Sequence, residues 1–275
     1  MNKKTIIGLC VIIVIIILFS AFDNRLKVVE YELKTDKISN SVKIALITDL
    51  HSCLYGEGQY RLIQEIDKKH PDAVFLVGDI FDDNYINNNS RILIDNIAPK
   101  YKTYYVSGNH EWWSGKMYEH FKYLDDAGVI VLRGNSDKLN INGNNIVVSG
   151  IDDPDVKSYD IQYKTHEEQL KSVAEKINPE YYNILLTHRP ENAHEYFKYD
   201  FDLVLSGHAH GGQFRIPYIL NGFYAPNQGF FPDLAGGMYD FGDNKLIVSR
   251  GLSKENTRLP RIFNRPELVF ISISK

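Results

Sequence analysis

Five short apolar runs in this chain each end in a residue that can bind a metal ion. The runs are IALITD, AVFLVGD, YYVSGNH, ILLTH and LVLSGHAH, and they end at Asp49, Asp79, His110, His188 and His210. A short apolar run bounded by turn residues is typical of a buried β-strand. Strands of an α/β sheet that end in such groups place them together along one edge. The chain is therefore constrained to an α/β fold with a polar site at its strand ends.

Strand and helix patterns alternate along most of the remaining chain. Strands are predicted at 43–48, 73–77, 102–106, 183–187, 203–206, 245–249 and 268–273. Helices are predicted at 59–69, 90–97, 116–127, 166–177 and 191–197. A hairpin is expected at 129–150, where Asn142–Gly143 supplies the turn. This alternation followed by β-rich sequence predicts sheet layers packed together with helices outside.

The amino terminus carries an almost unbroken apolar run, Ile6 to Phe22. At about 1.5 Å per residue it nearly crosses a hydrocarbon core of about 30 Å, so we predict one membrane anchor at 1–22. The alternative is a cleaved signal peptide, but Phe19-Ser20-Ala21 offers a bulky side chain where a small one is required. Residues 23–41 are expected to form a tether, with one edge strand at 27–33, and 42–275 a single catalytic domain. Basic residues flank both ends of the span, and we expect a single-pass protein of the cell membrane with an extracytoplasmic domain.

Charge and cysteine content exclude two classes of function. A net charge of −4 and a pI near 6.1 provide no basic surface for bulk nucleic-acid binding. Cys10 lies in the apolar run and Cys53 is the only cysteine beyond it, so no disulfide forms within the domain. A closed structural zinc site, which usually relies on cysteine, is excluded for the same reason. The oligomeric state is not determined by the sequence.

Each strand-end residue has an ordinary alternative role. An isolated aspartate after a strand is commonly a helix cap, and a lone histidine is usually a surface or core residue. Asp82 and Asp83 follow the second run closely, and a loop, a cap or a supporting role is open for both. The histidines without a partner motif are interpreted as solvated positions: His70, His120, His166 and His194.

Taken in order, the motifs are D-x-H at 49–51, GD at 78–79, GNH at 108–110, a histidine at 188 and GHxH at 207–210. This ordered set resembles the calcineurin-like metallophosphoesterases. The segments DLHSCLYG, GHAHGGQ, YAPNQGFFP and RIFNRPEL are similar to those of the membrane-anchored bacterial branch of that family. The resemblance implies a four-layer α/β sandwich of two mixed β-sheets flanked by helices, here preceded by one transmembrane helix.

The resemblance also implies a dinuclear metal centre. It assigns the first ion to Asp49, His51, Asp79 and His210. It assigns the second ion to Asp79, Asn109, His188 and His208, so that Asp79 bridges the two. His110 matches the histidine that is not a ligand and lies near the leaving group. Mixed nitrogen and oxygen ligands without thiolate favour two divalent ions of Mn²⁺, Fe or Zn²⁺.

The function predicted is hydrolysis of a phosphodiester or pyrophosphate bond by a metal-bridging hydroxide, with His110 as the general acid. Arg250 is a candidate for substrate phosphate binding, and a surface ion pair is its alternative. The anchor, the aromatic loop 216–242 and the basic residues Arg258, Arg261 and Arg265 favour a membrane-associated or lipid-linked substrate. The activities of the family that the chain resembles include hydrolysis of a nucleotide-linked lipid sugar, so the resemblance implies this reaction as one possible assignment. The alternatives are a soluble nucleotide or cell-wall phosphate as substrate, and a non-catalytic membrane scaffold.

Overall fold

The computed structural model describes residues 2–254 and 260–275. Arg258, one of the predicted basic residues, lies outside the described residues. The helices are α1 Lys3–Ala21, α2 Tyr60–Lys69, α3 Asn88–Ile97, α4 Asn109–Trp113, α5 Met117–Asp126, α6 Val156–Tyr159, α7 His166–Ala174 and α8 Ala193–Tyr196. The first seven strands are β1 Lys27–Lys34, β2 Val42–Ile47, β3 Ala73–Val77, β4 Lys102–Val106, β5 Ile130–Val131, β6 Asn135–Ile141 and β7 Asn144–Gly150. The others are β8 Tyr182–Leu186, β9 Leu203–Ser206, β10 Tyr224–Ala225, β11 Gly229–Phe230, β12 Gly237–Phe241, β13 Asn244–Val248 and β14 Glu267–Ser274.

Two mixed six-stranded sheets form the centre of the molecule. The first has the order β1-β14-β2-β3-β4-β5, and only the β14–β2 pair is antiparallel. The second has the order β12-β13-β9-β8-β7-β6, with antiparallel pairs at its two edges. The predicted turn Asn142–Gly143 joins β6 to β7, and both residues have positive φ, as a tight hairpin requires.

Strand side chains alternate between two buried layers. In β2, Ile44 and Leu46 belong to the core between the sheets, whereas Ala45 and Ile47 belong to the core under α2, α3 and α5. In the second sheet, Val204 points to a third core that includes Leu170 of α7. A strand buried on both faces reads as a continuous apolar run, which is why these strands were recognisable in the sequence. The predicted four-layer sandwich is confirmed.

The segment predicted as a tether is largely built into the domain. Strand β1 pairs residue for residue with β14, from Lys27 with Glu267 to Lys34 with Ser274. Leu33 and Ile38 are buried in the core between the sheets. The expected edge strand is thus present, and residues 27–41 are held by the same packing as the strands that follow.

One helix is long and apolar enough to cross a membrane. Helix α1 has 19 residues, a mean hydropathy of 2.7 and almost no burial against the domain. Its last residue, Ala21, is buried, and its carbonyl accepts the N–H of Phe263 at 2.7 Å. The carboxyl end of α1 is therefore attached directly to the domain.

Candidate metal centre

The seven predicted metal ligands lie at the carboxyl ends of five strands from both sheets. They follow β2, β3, β4, β8 and β9, at the edge where the two sheets meet, and all seven are buried: Asp49, His51, Asp79, Asn109, His188, His208 and His210. Parallel strands that end at one edge bring their following residues together. The chain thus gathers at one place residues that are up to 161 positions apart, from 49 to 210.

Among the described residues, the histidines and carboxylates here fall into three overlapping groups. Asp49, His51, Asp79 and His210 have donor atoms within 4.8 Å of one another, and so do Asp79, His188 and His208. The Asp79 Oδ2 atom lies 3.1 Å from His188 Nε2 and 3.6 Å from His51 Nε2. Asp79 belongs to both of these groups, and a third group joins His51, Asp82 and His110.

Six donor atoms of this cluster are buried and make no hydrogen bond of acceptable geometry. They are His51 Nε2, Asp79 Oδ2, Asn109 Oδ1, His188 Nε2, His208 Nδ1 and His210 Nδ1. A buried polar atom without a partner costs about 1–3 kcal/mol, and native structures contain few of them. Bound divalent ions would satisfy all six together, so the residues present fit a dinuclear centre.

The second ring nitrogens of three histidines are occupied by neighbours. His51 Nδ1 lies 2.9 Å from Asp82 Oδ2, and His188 Nδ1 lies 3.2 Å from the carbonyl of Val77. His208 Nε2 lies 2.9 Å from Asn227 Oδ1. Such partners select the tautomer and aim the other nitrogen at the ion. Asp82, whose role the sequence left open, is thereby a partner of His51.

The electrostatics differ among the ligands. Burial raises the pKa of Asp49, whereas burial lowers the pKa of His51 but is outweighed by the carboxylates of Asp82 and Asp79, which raise it. Burial raises the pKa of Asp79, but the charges of His188 and His110 outweigh it and hold that pKa well below the usual range. Burial lowers the pKa values of His208 and His210 well below the usual range. Ionised carboxylate and neutral imidazole are the forms that bind a metal ion.

At His188, by contrast, a cation is stabilised. Burial lowers its pKa, but the carboxylates of Asp79 and Asp49 raise it to about 10. The field at this position is therefore negative enough to hold a positive charge inside the protein, which a divalent ion would supply instead of a proton.

Five of the predicted ligands have left-handed backbone conformations: Asp49, His51, Asp79, His208 and His210, with φ between 46° and 65°. Residues other than glycine rarely adopt positive φ, and each costs about 1–3 kcal/mol. Such strain persists where the surrounding structure enforces it, which is typical of functional sites.

Two glycines allow the ligand loops to approach each other. A Cβ on Gly108 would lie 2.2 Å from Asp79 Oδ1, and one on Gly207 would lie 2.5 Å from Asp49 Oδ2. Both distances are far below van der Waals contact. At the glycines of the GNH and GHxH motifs, any larger residue would collide with the carboxylate of a predicted ligand.

Glu111 supports the centre without being a predicted ligand. Its buried carboxylate accepts four backbone N–H groups, those of Asp79, Ile80, Phe81 and Gly108, at 2.7–3.0 Å. Burial and the nearby Asp79 raise its pKa to about 7. Glu111 therefore joins the turn after β3 to the turn after β4, a role that sequence reasoning missed although the residue follows His110 directly.

His110 lies beside the cluster and is partly exposed. Its Nδ1 is 2.6 Å from Asp83 Oδ1, and its ring packs edge-on against His51 at 4.5 Å and tilted against Trp113 at 4.8 Å. Asp83, whose role was open, is thus the partner of His110. With Nδ1 bonded to a carboxylate, Nε2 is the atom that can exchange a proton with a substrate.

Arg189 is a further residue of the site that sequence reasoning missed. Its guanidinium is buried, pairs with both oxygens of Asp153, and lies 3.1 Å from His208 Nε2 and 2.6 Å from Asn227 Oδ1. Burial lowers its pKa, but Asp153 outweighs burial and raises it. Its position directly after His188 was the available signal.

Arg250 is not brought to the cluster. Its side chain lines a separate pocket with Lys27 and Arg215, and its Nε lies 3.4 Å from Glu267 Oε2. The two described basic residues of the set predicted near the membrane also have internal partners. Arg261 is buried and donates to the carbonyl of Arg250, whereas Arg265 donates to the carbonyls of Arg25 and Leu26.

The histidines interpreted as solvated differ from one another. His70 and His194 are exposed, as predicted. His120 is buried and stacks on Phe81 with ring centroids 4.2 Å apart, so the prediction was wrong there. His166 is half-buried and bonds the carbonyl of Asp152 and the hydroxyl of Tyr196. Both lie on helix faces that the apolar pattern alone assigned to solvent.

Comparison with known proteins identifies the same family that the sequence motifs resemble. Residues 42–212 match the sequence profile of the calcineurin-like phosphoesterases. An uncharacterised metallophosphoesterase of Aquifex aeolicus is 31% identical over 255 residues, which cover 90% of this chain and 92% of that protein. A transmembrane protein with metallophosphoesterase domain from Bos taurus is 28% identical over 68% of this chain, which spans 45% of that protein.

Among solved structures, the NAD nucleotidase of Haemophilus influenzae superposes with a TM-score of 0.53 at 17% identity. The match covers 78% of this chain and 51% of the nucleotidase. At this identity the similarity shows the fold alone.

Proposed function

The chain belongs to the calcineurin-like phosphoesterase family and is a metal-dependent hydrolase of phosphoester bonds; from this premise we propose that it cleaves a phosphodiester or pyrophosphate bond in a membrane-associated, lipid-linked substrate. The membrane-anchored bacterial branch remains our prediction for its place within the family.

The observation that carries this proposal is the position of the metal cluster relative to α1. Lys27, six residues after the end of α1, pairs with Glu267 at the start of β14. Strand β14 is antiparallel to β2, with Val269 opposite Leu46, so the carboxyl end of β2 lies at the same end of the sheet as Lys27. Two strand spacings, about 10 Å, separate β1 from β2. The edge that bears the metal cluster is thus the edge nearest the helix.

For the ions we propose two ligand sets; their histidines and aspartates lie close together within each set, and Asn109 joins the second set by resemblance and by its unpartnered buried oxygen. The first set is Asp49, His51, Asp79 and His210. The second set is Asp79, Asn109, His188 and His208. Two divalent ions held there would supply an activated water and neutralise phosphate charge during in-line displacement. Mn²⁺, Fe or Zn²⁺ suits the mixed nitrogen and oxygen donors.

His110 is proposed as the general acid. Its Nδ1–H donates to Asp83, which leaves Nε2 to protonate the departing oxygen. Asp83 acts as a positioning residue, because its carboxylate accepts from Nδ1–H and holds the ring orientation. Arg189 acts on His208 through Asn227, whose Oδ1 accepts from Arg189 Nη1 and from the Nε2–H of His208.

The substrate proposal is tested with a matched pair of compounds. The purified full-length protein in detergent with Mn²⁺ is assayed on a lipid-linked pyrophosphate in mixed micelles and on a short-chain, water-soluble analogue with the same pyrophosphate. We expect kcat/KM to be higher for the lipid by about tenfold or more, since remote binding energy lowers the barrier. Equal values would favour the soluble nucleotide or cell-wall phosphate.

The roles of individual residues are tested separately. Asp79→Asn should lose bound metal, measured by elemental analysis, and turnover of bis-p-nitrophenyl phosphate. His110→Asn should retain its metal and lose about 10² to 10⁴ in kcat. Metal loss in His110→Asn would show that His110 is a ligand and not the acid. Full activity in Asp79→Asn would contradict the bridging role, and inactivity of the wild-type protein on every phosphoester would favour the scaffold.

We further propose that α1 anchors the protein as a single span with the domain on the extracytoplasmic side. The length and hydropathy of α1 support a span, and long downstream domains translocate largely regardless of flanking charge. Protease added to sealed vesicles of known orientation should digest the domain only in vesicles that expose the extracytoplasmic face.

A further inference from the structure

A second pocket lies at the base of α1, apart from the metal cluster. It has a volume of about 560 Å³ and is lined by Lys27, Arg215, Arg250, Phe263 and the hairpin 216–221. None of the seven predicted ligands lines it. Arg215 connects it to the ligand loop, because its Nη1 donates to the carbonyl of Gly211 at 3.1 Å. The pocket therefore flanks the metal cluster.

The pocket wall is tied to the end of α1. Phe263, which lines the pocket, donates its N–H to the carbonyl of Ala21 at 2.7 Å. Arg265 donates to the carbonyls of Arg25 and Leu26, each at 2.9 Å, directly before Lys27. Six extended residues span at most about 20 Å, so the Lys27 wall lies within that distance of the last residue of α1. When α1 is in a bilayer, this pocket is at the bilayer surface.

The charge of the pocket is positive. Of its three cations, Arg250 faces a carboxylate, that of Glu267, at 3.4 Å from its Nε. Arg215 donates to Gly211 and to the side chain of Asn221, neither of which is charged. Burial, together with the neighbouring Arg250 guanidinium, lowers the pKa of Arg215 to about 10. Three basic groups with one carboxylate beside them leave a net positive charge that suits an anion, and a guanidinium suits a phosphate.

The rim of the pocket is apolar and exposed. Tyr218 is fully exposed and Ile219 is 82% exposed, both at the tip of the hairpin 216–221. Phe230 and Phe231 do not line the pocket; they are 65% and 64% exposed and pack edge-on against Phe223, two residues after the hairpin, at 5.3 and 5.6 Å. Clustered apolar side chains of this size mark an interaction surface, and aromatic residues are enriched at the membrane interface.

We propose that this pocket binds the phosphate of an anionic membrane phospholipid while Tyr218 and Ile219 enter the bilayer interface. The occupant is a lipid and not a free anion, because the apolar rim and the end of α1 adjoin the cationic wall. The domain is thereby held flat on the membrane beside its own anchor. This site is independent of the reaction at the metal cluster.

The test uses the full-length protein in nanodiscs and a tryptophan probe. Tyr218→Trp is prepared in nanodiscs of zwitterionic phosphatidylcholine and in nanodiscs that also contain phosphatidylglycerol, with a fraction of the lipids brominated. We expect quenching of the probe by brominated lipids, and stronger quenching with phosphatidylglycerol. The signal of the wild-type protein, from Trp112 and Trp113, is subtracted. Tyr181→Trp, at the start of β8 and opposite the metal edge, is the matched probe that should not be quenched.

The cations are then removed one at a time in the Tyr218→Trp background. Lys27→Gln and Arg215→Gln should each weaken the response to phosphatidylglycerol by about fivefold, the effect of one basic residue near an anionic surface. Arg61→Gln, an exposed arginine on α2, is the control and should not change it. A circular dichroism spectrum like that of the wild type checks folding, and Lys27→Gln carries the test if Arg215→Gln does not fold.

Three outcomes would overturn the proposal. They are an unquenched probe in every nanodisc, equal quenching with and without phosphatidylglycerol, and an unchanged phosphatidylglycerol response in both folded variants, Lys27→Gln and Arg215→Gln. The last would show that the pocket cations do not bind the lipid. The metal content and ester hydrolysis of the wild-type protein are measured separately, so failure here leaves the proposed hydrolysis untouched.

Discussion

The buried histidine of α5 makes the stability of the domain sensitive to acid. His120 is 3% exposed and stacks face to face on Phe81, and neither of its ring nitrogens has a hydrogen-bond partner among the described residues. Burial, and then the nearby Arg91 and Lys116, lowers its pKa from 6.5 to about 4. The folded protein therefore keeps this ring neutral at a pH where the unfolded chain binds a proton.

The size of the effect is obtained from the two pKa values. Because the folded value is the lower one, its contribution to stability is complete above pH 6.5 and is lost as the pH falls towards 4. At about 1.4 kcal/mol per pH unit, the full loss in the free energy of unfolding is about 3 kcal/mol. This is a large part of the stability of an ordinary domain.

The perturbation is His120→Phe, which keeps an aromatic ring on Phe81 and removes the titrating group. Urea unfolding of the full-length protein in detergent with EDTA is followed by tryptophan fluorescence at pH 7.5 and pH 4.5. On passing to pH 4.5, the variant should lose about 2–3 kcal/mol less than the wild type. Comparing the two proteins cancels the titration of the groups that they share.

His194→Asn is the control, because it removes an exposed histidine, and it should follow the wild type at both pH values. Equal losses in the wild type and in His120→Phe would refute the reasoning. They would mean that His120 binds its proton equally well in the folded and unfolded states, and hence that the ring is hydrated in the native protein.

Three further predictions concern the metal cluster. Glu111→Gln should weaken Mn²⁺ binding by about 10- to 100-fold in a metal titration. The reason is that an amide cannot accept all four backbone N–H groups. Unchanged affinity would show that the two turns keep their conformation without the carboxylate. Gly207→Ala should also lose metal, since its Cβ would lie 2.5 Å from Asp49 Oδ2, and a fully loaded variant would contradict the close packing. Asp83→Asn should lower kcat by about tenfold or more with metal content unchanged, and Asp83→Glu should restore part of it, because the carboxylate orients His110; an equal loss of kcat in both variants would indicate a purely structural role.

Much of the fold was predictable because its signals are local. The strands 73–77, 102–106 and 203–206 were predicted with the bounds that the structure has. Each is a mostly apolar segment of four or five residues that ends in a turn, and burial on both faces makes such segments largely continuous. The predicted ligands follow these strands directly, so their clustering at one edge was also implied by local pattern.

Other features depend on residues that are distant in sequence. The edge strand at 27–33 was expected from its local pattern, but its parallel pairing with β14, which brings Lys27 to Glu267 across 240 positions, was not. His120 was predicted to be solvated because its helix is mostly polar. In the structure, Phe81 from the loop after β3 stacks on it and covers it. Arg250 ends a strand like the ligands do, but its side chain turns to Glu267.

The sequence by itself determined the layered α/β architecture, the apolar helix and the set of residues that gather at the sheet edge, because strand and helix periodicity and strand-end chemistry are properties of neighbouring residues. The tertiary structure alone decided which ring nitrogen of a histidine faces the cluster, and that Asp82 and Asp83 bond the rings of His51 and His110. It also decided that the sheet edge with the predicted ligands lies on the same side as α1. These depend on contacts between distant segments and on backbone conformations with positive φ that only the surrounding packing can enforce.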